Sequence, residues 1–255
     1  MDRTAIVTGA SRGIGRAIAV GLAQDGYDIC AIAWQDDEQL KSLADEIKSL
    51  GRKCIWINHN IADTGALQGV LDRLPELPGA VACLVNNAGV SVLKRGDLLE
   101  VEADSFDRCF DVNTRGTFFF TQAMVKYMLG VENAVDAHRS VIFITSSNAV
   151  SATVERGEYC MSKAASHMAA RLFAIRLAQE GIGTYEVQPG LIMTEMTAPS
   201  KEKYDRLIAN GMTLDQRWGL PEDVARVVRT MAAGLLPYTV GQEVRVDGGL
   251  MMQRF

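Results

Sequence analysis

The chain has 255 residues, 48% of them hydrophobic and 22% charged, with a formal net charge of −5. That length and apolar content suit one large α/β domain with a full core and exclude a disordered chain. The acidic balance offers no footprint for nucleic acid, no apolar run is long enough to cross a membrane, and the first residues lack a signal-peptide pattern.

Residues 4–8 are short, apolar and β-branched, which predicts a buried strand. Gly9-Ala10-Ser11-Arg12-Gly13-Ile14-Gly15 follows, and a helical period then covers 16–24. A strand, a glycine-rich turn and a helix in that order form the dinucleotide-binding arrangement. Gly9 turns the chain off the strand, Gly13 lets backbone approach a pyrophosphate, and Gly15 lets the helix pack on the sheet. The helix N-terminus offers free N–H groups and partial positive charge to phosphates. The spacing is GxxxGxG rather than GxGxxG, so its place between strand and helix carries the weight.

Residues 28–33 read as a second strand. A helix over 36–50 follows, with Leu40, Leu43, Ala44, Ile47 and Leu50 on one stripe and Gly51 as its stop. Residues 53–58 are a third strand and 65–74 a further helix; Pro75 and Pro78 then break the chain before a strand over 81–85. Asn86-Asn87-Ala88-Gly89 closes that strand, at the end where open parallel sheets bind ligands. Residues 103–128 read as one long helix or two, interrupted at Val112-Asn113-Thr114-Arg115-Gly116. A glycine there costs roughly 1 kcal/mol relative to alanine, so the break is either a kink with a purpose or a loop between two helices. Residues 129–139 are an irregular connection.

A strand over 140–145 ends in Ser146-Ser147-Asn148. A loop leads to Glu158, and Tyr159 opens a helix in which Tyr159 and Lys163 lie one turn apart on one face. A phenol beside an ammonium is a candidate proton donor and acceptor. Residues 183–188 are a strand closed by Pro189-Gly190. Residues 193–216 have no clean period and are expected to be a mobile substrate flap. Pro221, with Glu222 and Asp223 behind it, starts a helix to about 233, and 242–246 form the last strand. Strands alternate with helices throughout, which predicts a single domain over 1–255: a doubly wound, Rossmann-type parallel sheet with helices on both faces. The five cysteines (Cys30, Cys54, Cys83, Cys109, Cys160) are scattered and expected as reduced thiols in a cytoplasmic protein. His59, His138 and His167 lack ligand spacing, so no metal site is expected.

Together these motifs resemble the short-chain dehydrogenases/reductases, and within them the 3-oxoacyl-carrier-protein reductase-like branch. The resemblance spans nearly the whole chain: TGASRGIG at 8–15, NNAG at 86–89, VNTRG at 112–116, a serine after a strand, YCMSK at 159–163, PGLIMT at 189–194 and VDGG at 246–249. It implies a catalytic set of Asn113, Ser146, Tyr159 and Lys163. Ser146 is preferred to Ser147 because it sits 13 residues before Tyr159 and fits the hydroxyl pattern of Thr145-Ser146-Ser147-Asn148-Ala149. The resemblance makes Tyr159 the general acid for reduction, with its phenol pKa lowered by Lys163. Ser146 would orient the carbonyl, and Asn113 would hold a water that links Lys163 to solvent.

It also implies a nicotinamide cofactor held by Gly9, Ser11, Arg12, Gly13, Ile14 and Gly15. Asn60 and Ile61 would meet the adenine; Asn86, Ala88 and Gly89 the ribose; Tyr159 and Lys163 the nicotinamide ribose; Pro189, Gly190, Ile192 and Thr194 the carboxamide end. For Asn86, a strand-end hydrogen bond is an equal alternative. The acid that marks NAD users at the end of the second strand is absent, since Ala33 stands there, and Arg12 is placed for a 2′-phosphate. NADP(H) is therefore expected over NAD(H). The expected substrate is a small molecule: a ketone and its secondary alcohol, as a 3-oxoacyl thioester or, alternatively, a sugar or polyol. A dinucleotide sensor without turnover is the alternative of another class. No basic cluster stands out in the sequence. Phe118-Phe119-Phe120, the small and apolar helix from 164 and the apolar chain end predict a homo-oligomer, a dimer or tetramer.

Overall fold

The computed structural model describes residues 3–130 and 138–253. Most of the expected connection at 129–139 and the last two residues of the apolar chain end lie outside the described residues. Seven strands form one sheet: β1 (Arg3–Thr8), β2 (Tyr27–Ala33), β3 (Cys54–Asn58), β4 (Ala80–Asn86), β5 (Arg139–Ile144), β6 (Ile182–Pro189) and β7 (Glu243–Val246). Their order is β3-β2-β1-β4-β5-β6-β7, and every neighbouring pair is parallel. The chain steps outward from β1 to β3, then returns to lay β4 on the other side of β1. That reversal leaves a crevice at the carboxyl ends of β1 and β4, where such sheets bind ligands.

Two cores sandwich the sheet. One joins it to α1 (Gly13–Gln24), α2 (Asp37–Ser49) and α8 (Pro221–Ala232); the other joins it to α3 (Leu67–Leu71), α5 (Thr117–Gly130) and α6 (Gly157–Leu177). In β2, Ile29 and Ala31 enter the first core while Cys30 and Ile32 enter the second. A strand buried on both faces is mostly apolar, which is why these strands read as apolar runs; the buried Asp28 of β2 is paired with Arg52 at 2.8 Å.

The helix expected over 65–74 is shorter. It stops after α3 and resumes as one 3₁₀ turn at Leu74–Glu76, because Pro75 cannot donate within a helix and Gly69 weakens it. The interruption at 112–116 is a kink and not a loop. α4 (Ala103–Phe110) runs into a π-helical turn at Asp111–Gly116, and α5 continues from it. Such bulges mark functional sites. Gly116 is required there, since a Cβ would lie 2.5 Å from the Ile61 carbonyl oxygen.

α6 begins two residues before Tyr159, with Arg156 at its N-cap. Residues 193–216, expected without regular structure, contain α7 (Lys201–Ala209). Tyr204 and Ile208 of α7 pack with Leu191, Met212, Trp218 and Leu250, and the Trp218 Nε1–H donates to Asp205 at 2.7 Å. Only two of these nine residues, Tyr204 and Ile208, are buried, which sets too faint a period to read from sequence.

Candidate active site

The glycine turn is built by β4. Asn87 Nδ2 donates to the carbonyls of Thr8 (2.9 Å) and Gly9 (3.1 Å), while the Thr8 hydroxyl accepts from the backbone N–H groups of Asn87 and Ala88, each at 3.0 Å. Gly9 and Gly13 take left-handed φ values of 65° and 54°. A Cβ on Gly15 would lie 2.1 Å from the Gly9 oxygen. No side chain caps the start of α1 and its first turn has no acid, so its N–H groups are open to an anion. Ser11 is buried in this turn, and Ile14 packs on the first core. Thr194 stands opposite Gly13, 3.4 Å from where its Cβ would be, and Ile192 bridges to Gly219. Pro189 ends β6, and Gly190 lies so close to Asp247 that a Cβ would sit 2.7 Å from that side chain. At the end of β3, Asn60 accepts from the Ala62 N–H at 3.1 Å, and Ile61 is buried beside it. Asn87, not Asn86, makes the strand-end hydrogen bonds; the Asn86 Nδ2 is buried without a partner. A turn with open N–H groups, facing Asn87 and Ala88 just past β4, fits a dinucleotide.

The four expected catalytic residues converge beside this cradle. Tyr159 and Lys163 are 8% and 6% exposed. The Lys163 ammonium donates to the Ile144 carbonyl at 3.2 Å and lies 5.9 Å from the Tyr159 ring centre. Ser146, two residues past β5, lies near enough to the Tyr159 phenol to oppose the rise of its pKa, and it accepts from the Asn148 N–H at 3.1 Å. Ser147 instead lends its carbonyl to the Ser151 hydroxyl at 2.9 Å. Asn113, inside the π turn, clamps Val90: its Oδ1 accepts from the Val90 N–H at 2.8 Å, and its Nδ2 donates to the Val90 oxygen at 3.0 Å and to Ser162 at 2.9 Å. Its backbone carbonyl accepts from Ser166 at 2.6 Å. Gly89 must be bare, because a Cβ would lie 3.2 Å from both Asn113 Oδ1 and Lys163 Nζ.

The electrostatics depart from the sequence expectation. Burial raises the Tyr159 phenol pKa, opposed first by the Ser146 hydroxyl and then by the Arg156 guanidinium; Lys163 is not among the causes. The ammonium itself donates to the Ile144 carbonyl. Burial also pushes Lys163 down to about 8, and the carboxylate of Glu186 opposes this. Glu186, on β6, is itself buried and saturated: it accepts from Thr145 and, at 3.1 Å, from Gln188, and it pairs with His167 Nδ1 at 2.5 Å. Its role escaped sequence reading because Glu186 lies in an otherwise ordinary strand. His167, Glu186 and Glu243 gather within 4.8 Å, a grouping that the histidine spacing did not suggest. Arg171 already pairs with Glu243 at 3.6 Å. The five cysteines carry no disulfide.

Arg12 reaches across the mouth of the cradle to Glu195 at 3.0 Å, both well exposed. At the end of β2 stand Ala33 and the exposed Trp34. Asp37, the nearest downstream acid with a described partner, accepts from Asn58 at 2.8 Å.

This cradle and the adjoining Tyr–Lys–Ser group define an oxidoreductase site, and comparison with known proteins agrees. The short chain dehydrogenase family profile matches residues 3–205. An L-rhamnose 1-dehydrogenase (NAD(P)(+)) of Sphingomonas is 31% identical over 97% of this chain and 96% of its own length. The 3-oxoacyl-[acyl-carrier-protein] reductase FabG of Staphylococcus aureus is 31% identical over 99% of both chains. A crystal structure of a Brucella melitensis 3-oxoacyl-[acyl-carrier protein] reductase in complex with NAD superposes with a TM-score of 0.95 at 38% identity, covering 100% of this chain and 99% of that one. The chain belongs to the short-chain dehydrogenase/reductase family. It is a nicotinamide-dependent oxidoreductase of carbonyl and alcohol groups, and nothing supports the sensor alternative.

With its pKa near 8, Lys163 is charged at neutral pH. Glu186→Gln removes the charge that opposes desolvation, so the ammonium loses its proton at lower pH. The alkaline fall of kcat/KM therefore starts at lower pH in this variant than in the wild type. An unshifted alkaline limb in a folded variant refutes the link.

Proposed function

We propose that the chain interconverts a ketone and a secondary alcohol, with Tyr159 as the proton donor in reduction and the acceptor in oxidation. The observation that carries this is the buried phenol, with the Ser146 hydroxyl near it and the Lys163 ammonium beside its ring. A bound nicotinamide dinucleotide supplies or accepts the hydride at the substrate carbon, and its oxidised ring adds positive charge near the phenol. In reduction Tyr159 delivers its proton to the oxygen, which becomes alkoxide-like, while Ser146 donates a hydrogen bond to the same oxygen. Lys163 holds the nicotinamide ribose. The Asn113 carbonyl keeps one lone pair beyond the bond from Ser166, which suits a water linking Lys163 to solvent. Substrates of two classes share this chemistry, 3-oxoacyl thioesters and sugars or polyols, and the relatives include enzymes of both kinds. α7 and its flanks at 193–216 serve as the substrate flap.

NADP(H) is preferred over NAD(H). No acid ends β2, and Arg12 is held only by an exposed pair with Glu195; such pairs are worth about 0–1 kcal/mol. A 2′-phosphate can therefore displace it. Self-association is supported by α6, whose outer face exposes Met161, Met168, Leu172 and Ile175, and by the partly exposed Phe119. No helix among the described residues is long and apolar enough to cross a membrane, and the free cysteines suit a cytoplasmic setting.

Tyr159→Phe is expected to lose about 10²–10⁴-fold in kcat with cofactor affinity retained. Ser146→Ala loses activity while Ser147→Ala keeps most of it. Near-normal turnover by Tyr159→Phe, or the reverse pattern for the serines, rejects these roles. The ratio of kcat/KM for NADPH over NADH should exceed one and fall roughly tenfold in Arg12→Ala; a wild-type preference for NADH contradicts the cofactor assignment. Sedimentation at micromolar concentration should show a dimer or tetramer, and a monomer alone rules out the α6 interface.

A further inference from the structure

Arg156 stands beside the Tyr–Lys pair without a counter-ion. Its guanidinium carbon lies 5.3 Å from the centre of the Tyr159 ring. Its Nε is buried with no hydrogen-bond partner, and no carboxylate pairs with it among the described residues. The two glutamates nearest in sequence find their partners elsewhere, although Glu155 still feels the Arg156 charge and Glu158 Oε2 is itself buried without a hydrogen bond. Glu155 pairs with Lys203 of α7 at 3.1 Å. Glu158, 2% exposed, accepts from Ser105 of α4 at 2.6 Å. The backbone around Arg156 is fixed as well. The Gly96 N–H donates to the Glu155 carbonyl at 3.3 Å, and Gly157 lies so close to Leu98 that a Cβ would meet its Cδ1 at 2.4 Å. The guanidinium thus stands beside Tyr159 with its Nε buried and unpaired.

Leaving a guanidinium nitrogen buried and unpaired is costly. A planar fork of donors matches an oxyanion, and such charge-assisted bonds are among the strongest in proteins. The charge nearby points the same way: Glu155 feels Lys203, Arg95 and Arg156 together. Sequence reading found no basic cluster because these cations come from three separate segments.

We propose that Arg156 is the specificity-determining residue of this site, and that it binds an oxyanion, a carboxylate or a phosphate, carried by the substrate close to the carbonyl served by Tyr159. The inference rests on the ketone–alcohol reading above and narrows it. A neutral thioester beside the carbonyl would leave the guanidinium unpaired, whereas a short hydroxy or keto acid, or a phosphorylated ketose, satisfies it.

The test uses the full chain saturated with oxidised cofactor, so that a ketone binds without being reduced. Affinities are measured by calorimetry for acetoacetate and levulinate against their methyl esters, and for dihydroxyacetone phosphate against dihydroxyacetone. In the wild type the anion of at least one pair should bind at least about tenfold tighter than its neutral partner, and which pair responds identifies carboxylate or phosphate. Arg156→Gln should bring that ratio close to one, and Arg156→Lys should restore part of it. Equal affinity for anion and neutral partner in every wild-type pair overturns the assignment. So does a ratio that survives in Arg156→Gln, or equal weakening of both members of a pair, which would mark a packing role against the Tyr159 ring. Consumption of reduced cofactor is followed separately on the same compounds. Failure of every compound to turn over counts against the ketone–alcohol reading, while the affinity ratios still decide the role of Arg156.

Discussion

The Lys163 ammonium is buried, and much of the site is arranged around the cost of removing that charge from water. Two groups offset it: the Ile144 carbonyl, which accepts its proton, and the Glu186 carboxylate on the neighbouring strand. Both lie at the carboxyl end of the sheet, so the ammonium can be held only where β5 and β6 run side by side and α6 lies across them. Glu186 in turn needs Thr145, Gln188 and His167 to saturate its oxygens. One charge thus recruits four further polar side chains into the interior. A network of this kind is stable only when its members are satisfied.

The polar inner face of α6 follows from the same constraint. Ser162 receives the Asn113 amide and donates to the Tyr159 carbonyl, while Ser166 donates to the Asn113 carbonyl. These bonds need Asn113 at a position that a regular α-helix does not provide. The π turn between α4 and α5 supplies it. The backbone irregularity and the buried serines are therefore two halves of one contact. On the far side of the cleft, Asn87 plays the matching part for the glycine turn, fixing the ends of β1 and β4 together with Thr8.

Much of this was readable in the chain before any coordinates. The apolar runs gave strands within about a residue at each end, because burial on both faces of a parallel sheet favours apolar side chains along most of each strand. The glycines at 9, 13 and 15 and the Tyr159–Lys163 spacing were readable because each is a local requirement: a left-handed turn, a close helix, one helical turn. α7 was missed because only two of its residues, Tyr204 and Ile208, are buried, and α3 was expected to run from 65 to 74 but spans only Leu67–Leu71. The rise of the phenol's pKa was not foreseen because spacing places Lys163 near Tyr159 without revealing how deeply the phenol is buried.

The sequence by itself determined the order of elements, the doubly wound sheet and the placing of Tyr159 and Lys163 one helical turn apart, since these follow from periodicity, backbone freedom and short-range spacing. The tertiary structure decided which groups share a neighbourhood. Glu186 meets His167, Asn87 holds Gly9, Arg12 spans 183 residues to reach Glu195, and Arg156 loses both neighbouring glutamates to Ser105 and Lys203. Those pairings depend on where distant segments pack and on how much water each charge retains there. No pattern within a single turn or strand records either quantity.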